Sequence, residues 1–541
     1  MAKKILISSS SVLLCLLLAA FLLSLLPGQS NPTDASALPD QPELYEDLTN
    51  YTSVDELVDA LLANGAEYAD LPQTLYNLAD TQWHAGNYEQ ARQLYKYIAD
   101  NMSDNDLAFN ARAWVAGSDI KLANFDDAEE EIDALIKDFA GHPQLTTIIY
   151  KLADYYWYAG SYQNAKALYQ FVFDRDPQGD LAIWAKAWVA GADIWLGHHT
   201  LAQQGIYALI KDFDDHPELT SLIYKLADHY WYAGKYQNAR DLYQIVVDRE
   251  PEGELALWAK AWLAGLQLIL DNSTSAQQVV DTLIADCGGH PNLAQMIYGI
   301  ANGCWYVQKY EQARHLYKYI ADNLTNSNFA VRAKAWVAGC DIMLGDYAGP
   351  HEAIEALLTD SPADLKLPGQ IYQLALVYDR VSRFEDAKRL YQHIVDNWPE
   401  SDHAGDAQSS IAAYYERLRN SGSLPPSQAN PKIEVAYRQV VERYPNSASV
   451  NHALLELGRL HFATGKWANA AYYLSLFLEK QHANQAECRL LYPLLGKAYE
   501  NSGQLDKAQQ VYRQFIGISD PTDPRGKAVK MWLKRLGGET I

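Results

Sequence analysis

The chain has 541 residues, 49% of them hydrophobic and 21% charged, a globular composition too long for one compact core, so several domains or an extended repeat array are expected. Its formal net charge of −23 has the wrong sign for a phosphate backbone and excludes nucleic acid as the expected partner. The five cysteines, Cys15, Cys287, Cys304, Cys340 and Cys488, form no CxxC pair and no disulfide framework; they read as small buried thiols, with a bridge open only between Cys304 and Cys340.

In chain order, Lys3 and Lys4 precede an apolar run over 5–26, followed by Pro27 and Gly28. Residues 1–30 read as a signal peptide or an N-terminal membrane anchor, and both alternatives place the remainder outside the cytoplasm, in the periplasm or cell envelope. Residues 31–52, rich in Pro, Asp and Ser, read as a flexible linker. Ser53 and Glu56 form a capping-box pattern ahead of a first helix over 54–62.

A strict period then begins. Tyr76, Tyr150, Tyr224, Tyr298 and Tyr372 stand 74 residues apart, as do Trp114, Trp188, Trp262 and Trp336, and His142, His216 and His290. Nearly the same eleven-mer occurs at 150–160 (YKLADYYWYAG) and 224–234 (YKLADHYWYAG). Each unit is two halves of 37, since Ala85-Gly86-Asn87-Tyr88 is answered by Leu122-Ala123-Asn124-Phe125. In the first half Leu75, Leu78, Ala79 and Gln82 share a helical face, Gly86 ends the helix, and Tyr88, Ala91, Tyr95 and Ile98 share the face of a second helix. The glycine suits a left-handed helix C-terminus. No strand-like alternation occurs, so the fold class is all-α: a solenoid of helical hairpins over 53–418. Nine extra residues break the period within 419–431, a Ser/Pro/Gly segment that reads as an inserted loop. Repeats resume over 432–520. Residues 521–541 read as a capping helix, with Val529, Trp532, Leu533 and Leu536 on one stripe and Lys527, Lys530 and Lys534 off it.

The motif is clearest near the C-terminus, where Tyr492, Leu495, Gly496, Tyr499 and Gly503 are followed by Leu505, Ala508 and Tyr512. Leu457, Gly458, Gly465, Trp467 and Ala470 repeat it; Tyr162, Ala165, Tyr169 and Pro177 match its second half, as do Tyr236, Ala239, Tyr243 and Pro251, and Phe384, Ala387, Tyr391 and Pro399. This pattern resembles the tetratricopeptide repeat over about residues 70–516. It departs from that family in its 37-residue length and in Ala79, Ala153 and Ala227, where the family has a smaller residue. The stretch 437–467 is also similar to repeat domains of bacterial cell-envelope proteins. The resemblance implies a scaffold that binds other proteins, with the first helix of each hairpin lining a concave groove.

The groove face would carry Tyr76, Asp80, Trp83 and His84, then Tyr150, Asp154, Trp157 and Tyr158, then Tyr224, Asp228, Trp231 and Tyr232, then Tyr298, Asn302, Trp305 and Tyr306. The intervening first helices place small residues there: Ala113 and Gly117, Ala187 and Gly191, Ala261 and Gly265, Ala335 and Gly339. Two accounts follow. Either the aromatic ridge packs into the small-residue helix, or it stays accessible as a ladder for an extended ligand, a protein segment or, alternatively, a glycan or peptidoglycan strand. Catalysis is not expected, because equivalent residues lie roughly 20 Å apart, two helix-packing steps, and cannot meet at one reacting atom. His142, His216 and His290 read as turn residues. His351-Glu352 lacks the second histidine of a zinc motif, and no nucleotide or hydrolase motif occurs, so no metal or cofactor is expected. The function expected is a non-enzymatic interaction scaffold of the cell envelope, with membrane contact through the N-terminal segment if it is uncleaved.

Overall fold

The computed structural model describes residues 54–63, 71–101, 105–271, 275–360, 367–480, 490–519 and 523–537; the leader, the linker, Ser53, Cys15 and Cys488 lie outside them. The described residues form 26 α-helices and no strand. The chain divides into two compact units, residues 1–266 and 267–541.

In the first unit α1 (Val54–Ala63) precedes the hairpins α2/α3 (Leu71–His84, Tyr88–Asn101), α4/α5 (Asn105–Lys121, Phe125–Asp138), α6/α7 (Leu145–Tyr158, Tyr162–Arg175), α8/α9 (Ala182–Trp195, His199–Asp212) and α10/α11 (Leu219–Tyr232, Tyr236–Arg249). The division falls within α12 (Glu254–Leu270). The second unit holds α13 (Ala276–Cys287), then α14/α15 (Leu293–Tyr306, Tyr310–Asn323), α16/α17 (Ala330–Leu344, Ala348–Asp360), α18/α19 (Leu367–Arg380, Phe384–Asn397), α20/α21 (Ala404–Asn420, Pro426–Arg443), α22/α23 (Val450–Ala463, Trp467–Lys480), α24/α25 (Tyr492–Asn501, Leu505–Ile518) and α26 (Pro524–Arg535). Within each unit every hairpin buries its leucine and alanine stripe: Leu152, Ala153, Ala165, Tyr169 and Val172 in α6/α7 are all sealed, and so are Leu226, Ala227, Ala239, Tyr243 and Val246 in α10/α11. Each strips about 25 cal/mol per Å² of apolar surface from water, and that burial is the main force closing the hairpin.

The hairpin turn is a backbone device. At the end of α6, Gly160 N–H donates to Trp157 O (3.0 Å) and Ser161 N–H to Tyr156 O (2.9 Å), with Gly160 at φ 76°. The same left-handed position recurs at 37-residue intervals from Gly86 to Gly234 and from Gln308 to Ser382, and at three of these turns it is not glycine: Ala123 (φ 61°), Gln308 (φ 63°) and Ser382 (φ 63°). The histidines precede the next first helix as turn residues, with His142 Nδ1 accepting from Gln144 N–H (3.3 Å), His216 Nδ1 from Glu218 N–H (3.2 Å) and His290 Nδ1 from Asn292 N–H (3.2 Å).

A charge stitch joins successive hairpins. Asp119, fully buried, pairs with Arg92 at 2.5 Å, and Asp193 pairs with Lys166 at 2.7 Å. Arg314 pairs with Asp341 in the second unit. Each cation lies 27 residues before its carboxylate and comes from the preceding second helix, so the low-dielectric charge is compensated where it stands.

Two expectations need comment. The segment 419–431 is not a loop throughout. Pro425 is extended (φ −64°, ψ 149°), Pro426 opens α21, and Gln428 and Ala429 already donate to Pro425 O, so the extra residues mainly lengthen a helix. Proline at a helix start costs no hydrogen bond, which is why a proline pair here begins a helix instead of preventing one. Cys287, Cys304 and Cys340 are buried; burial pushes the Cys304 thiol up to about 12 and Cys340 higher still. At the far end α26 buries Val529 and Leu533 against the Tyr512 and Phe515 face of α25.

The left-handed turns give a direct test. A side chain at that φ costs about 1 kcal/mol or more, so Ala123→Gly and Gln308→Gly should each stabilise the protein by about 0.5–1 kcal/mol. Gly160→Ala should destabilise it by a similar amount, read as the shift of the denaturant unfolding midpoint.

Candidate interaction face

The face is built from α6 and α10 in the first unit, with the same pattern in α2 and, in the second unit, α14. Tyr150 Oη accepts the indole N–H of Trp188 at 3.0 Å, and Tyr224 Oη that of Trp262 at 2.7 Å; Tyr76 and Trp114 repeat the bond at 2.9 Å. The carboxylates take hydroxyl protons from the buried tyrosine of their own hairpin: Tyr169 donates to Asp154 Oδ1 at 2.6 Å, Tyr243 to Asp228 and Tyr95 to Asp80. In the second unit Tyr317 donates to Asn302 in the same way.

The indoles are packing elements. Trp157 lies 5.5 Å from Trp188, edge-on to Tyr162 and Tyr169, and its rim closes over Gly191, where an added Cβ would come within 3.0 Å of it. Trp83 sits over Gly117 in the same manner (3.2 Å). Trp231 contacts Trp262 at 5.3 Å and Tyr236 edge-on. Trp305 is 9% exposed and packs against Trp336 at 4.8 Å, above Gly339. The first of the two accounts therefore describes the indoles, and an open ladder of indole faces is corrected: ridge and small-residue helix interlock. Tyr76, Tyr150, Tyr224 and Tyr298 are likewise only partly exposed. What protrudes is the last position of each rung: Tyr158 (73% exposed), Tyr232 (47%) and Tyr306 (50%), with exposed His84 in their place on α2.

One position escaped the sequence reading. The two eleven-mers differ only at Tyr155 and His229. Tyr155 lies between Trp83 (5.7 Å) and Trp114 (6.1 Å), and the Lys121 ammonium sits 4.7 Å above its ring. His229 lies between Trp157 (5.2 Å) and Trp188 (5.7 Å), and its Nδ1 accepts the Trp195 indole N–H at 3.2 Å. Lys121 and Trp195 are also 74 residues apart, so each plug has its own matched partner. The paired difference, Tyr with Lys and His with Trp, was the signal that could have found it. Burial pulls His229 down to about 4, which keeps the imidazole neutral as that acceptor.

Burial also pushes Asp154 up to about 6 and Asp228 up to about 7 from 3.8, with the tyrosine hydrogen bonds opposing it. Among the described residues no group of three His, Cys, Asp or Glu is placed to hold a metal ion, and the rungs are spread along the hairpins instead of converging on one reacting atom.

Sequence models for the tetratricopeptide repeat match residues 72–95, 224–266, 435–486 and 491–521. Solved structures with a similar fold include a part of a tetratricopeptide repeat-containing protein from Cytophaga hutchinsonii (16% identity, 51% of this chain and 98% of that one, TM-score 0.31). Others are a tetratricopeptide repeat protein from Parabacteroides merdae (14%, 49% and 97%, 0.31) and yeast Tom70 (11%, 87% and 96%, 0.28). No curated protein matches the chain. The chain contains tetratricopeptide repeats. As a class such arrays are non-enzymatic scaffolds for protein–protein interaction.

The raised carboxyl of Asp228 makes a testable demand. Its folded form holds its proton up to about pH 7, the unfolded form only to 3.8, so the stability it contributes is present at low pH and lost as pH rises through 7. His229 acts oppositely below 6.5, and Lys225 on the same helix partly offsets Asp228. Asp228→Asn, which copies the native Asn302–Tyr317 pair, should raise the melting temperature at pH 8 by a few degrees, raise it less at pH 5, and leave it nearly unchanged only below the unfolded-state value of 3.8.

Proposed function

We propose that the chain is an exported interaction scaffold of the cell envelope that binds extended segments of other proteins along the tyrosine-bearing face of α6 and α10. The observation that carries the reading is the contrast within each rung. Tyrosine and indole are locked into the packing and the carboxylate is held through one oxygen, while Tyr158 and Tyr232 stand exposed at equivalent positions one 74-residue unit apart. A rigid backing with a protruding aromatic suits an anchor, because little side-chain entropy is lost when a partner covers it. The glycan alternative requires outward indole faces for sugar stacking, and the engagement of Trp157 and Trp231 with neighbouring rings favours a protein partner. The envelope assignment rests on the export pattern of residues 1–30 and on the similarity of 437–467 to envelope repeat domains. No described helix is long and apolar enough to cross a membrane, so membrane attachment in this reading falls to residues 1–30.

A photo-crosslinking amino acid placed at Tyr232 of the full chain in its own cells should trap a small, reproducible set of envelope proteins. The same residue at Tyr472, which is equally exposed on α23, should not trap that set. Equal trapping at both positions, or trapping of polysaccharide alone, would contradict the proposal.

A further inference from the structure

The face carries a chemical preference. Tyr169 and Tyr243 each bond one oxygen of Asp154 and Asp228; the second oxygen of each carboxylate has no hydrogen bond and is not sealed from solvent. The protruding Tyr158 and Tyr232 stand one helical turn on, on the same faces of α6 and α10. Each rung therefore offers a half-met carboxylate beside an aromatic ring, the two groups that an ammonium or guanidinium seeks together. Cations already sit on rings of this array: Lys121 lies 4.7 Å above Tyr155. Lys225 likewise lies 4.8 Å from the Trp184 ring. In the second unit the corresponding rung has Asn302 with Tyr306, and it keeps the aromatic without the charge.

We propose that Asp154 with Tyr158 and Asp228 with Tyr232 are two equivalent receptors for lysine or arginine side chains of one extended protein segment. This rests on the binding face proposed above and adds the chemistry of its occupant. Two first-helix steps of roughly 10 Å each separate the rungs, and an extended chain advances about 3.4 Å per residue, so the two cationic residues stand roughly six positions apart. The net charge of −23 draws a basic segment toward the chain before contact. Burial raises both carboxyls, and Lys225 offsets it only in part at Asp228; an arriving cation supplies further counter-charge.

The test uses the full chain and fluorescein-labelled Gly/Ser peptides that differ only at two positions six residues apart, both lysine or both glutamate. The lysine peptide should bind at least ten-fold more tightly by fluorescence anisotropy at low salt. The preference should collapse in an Asp154→Asn/Asp228→Asn variant, whose fold is checked by its circular dichroism and melting temperature. Moving the lysines to three residues apart should weaken binding. Equal binding of the two peptides, or undiminished preference in the Asn variant, overturns the cation receptors while leaving the tyrosine face standing. No measurable binding of the lysine peptide overturns them as well, and crosslinking at Tyr232 then decides the face separately.

Discussion

The contact on which the rest depends is an indole seated on a glycine. Trp157 closes over Gly191 and Trp83 over Gly117, so the helix that follows must approach closely and in one register. A methyl group at those glycines would stand 3.0–3.2 Å from the indole rim, so the ring would have to give way by a few tenths of an ångström, and a packed core resists even that much added volume. Once the indole is seated, its neighbours have defined partners. The Trp188 N–H meets the Tyr150 hydroxyl, Tyr169 meets Asp154, and the plug residues Tyr155 and His229 fill the gap between one tryptophan pair and the next.

That constraint separates two jobs that the aromatic stripe could have shared. The tyrosine and tryptophan deeper in each rung hold successive hairpins together, and the carboxylate is positioned by a sealed tyrosine. The residue at the end of the helix is the exposed one, and it is there that Tyr158 and Tyr232 emerge. A scaffold of this kind offers a partner side chains that are already oriented. What stands beside each tyrosine differs: a carboxylate in the first unit, an amide at Asn302 in the second, and the proposed recognition chemistry turns on that difference.

Much of this was legible in the amino-acid sequence because the repeat is exact in length. Leu75, Leu78 and Ala79, with Ala91, Tyr95 and Ile98, announce a buried hairpin, and Gly86 and Gly160 announce its turn. The same grammar hides other things. A Tyr-Asp-Trp stripe reads identically whether the indole is seated or open, and only the depth of the Gly117 and Gly191 contact decides between them. The Lys166–Asp193 stitch joins residues 27 apart on different hairpins, a spacing with no helical signature. Pro425-Pro426 reads as a breaker because proline ends helices, yet here it starts one. Ala123, Gln308 and Ser382 occupy a glycine conformation without being glycine, so local propensity alone would have missed those turns.

The most direct measurement of the seated indole is native-state hydrogen exchange on Gly191→Ala compared with Tyr158→Ser. If the glycine contact sets the packing, Gly191→Ala should lower the opening free energy of α6 and α8 amides together by about 1–3 kcal/mol, while Tyr158→Ser leaves both within about 0.5 kcal/mol of the parent. Unchanged protection in Gly191→Ala, or a loss in Tyr158→Ser of the same size, would contradict the account.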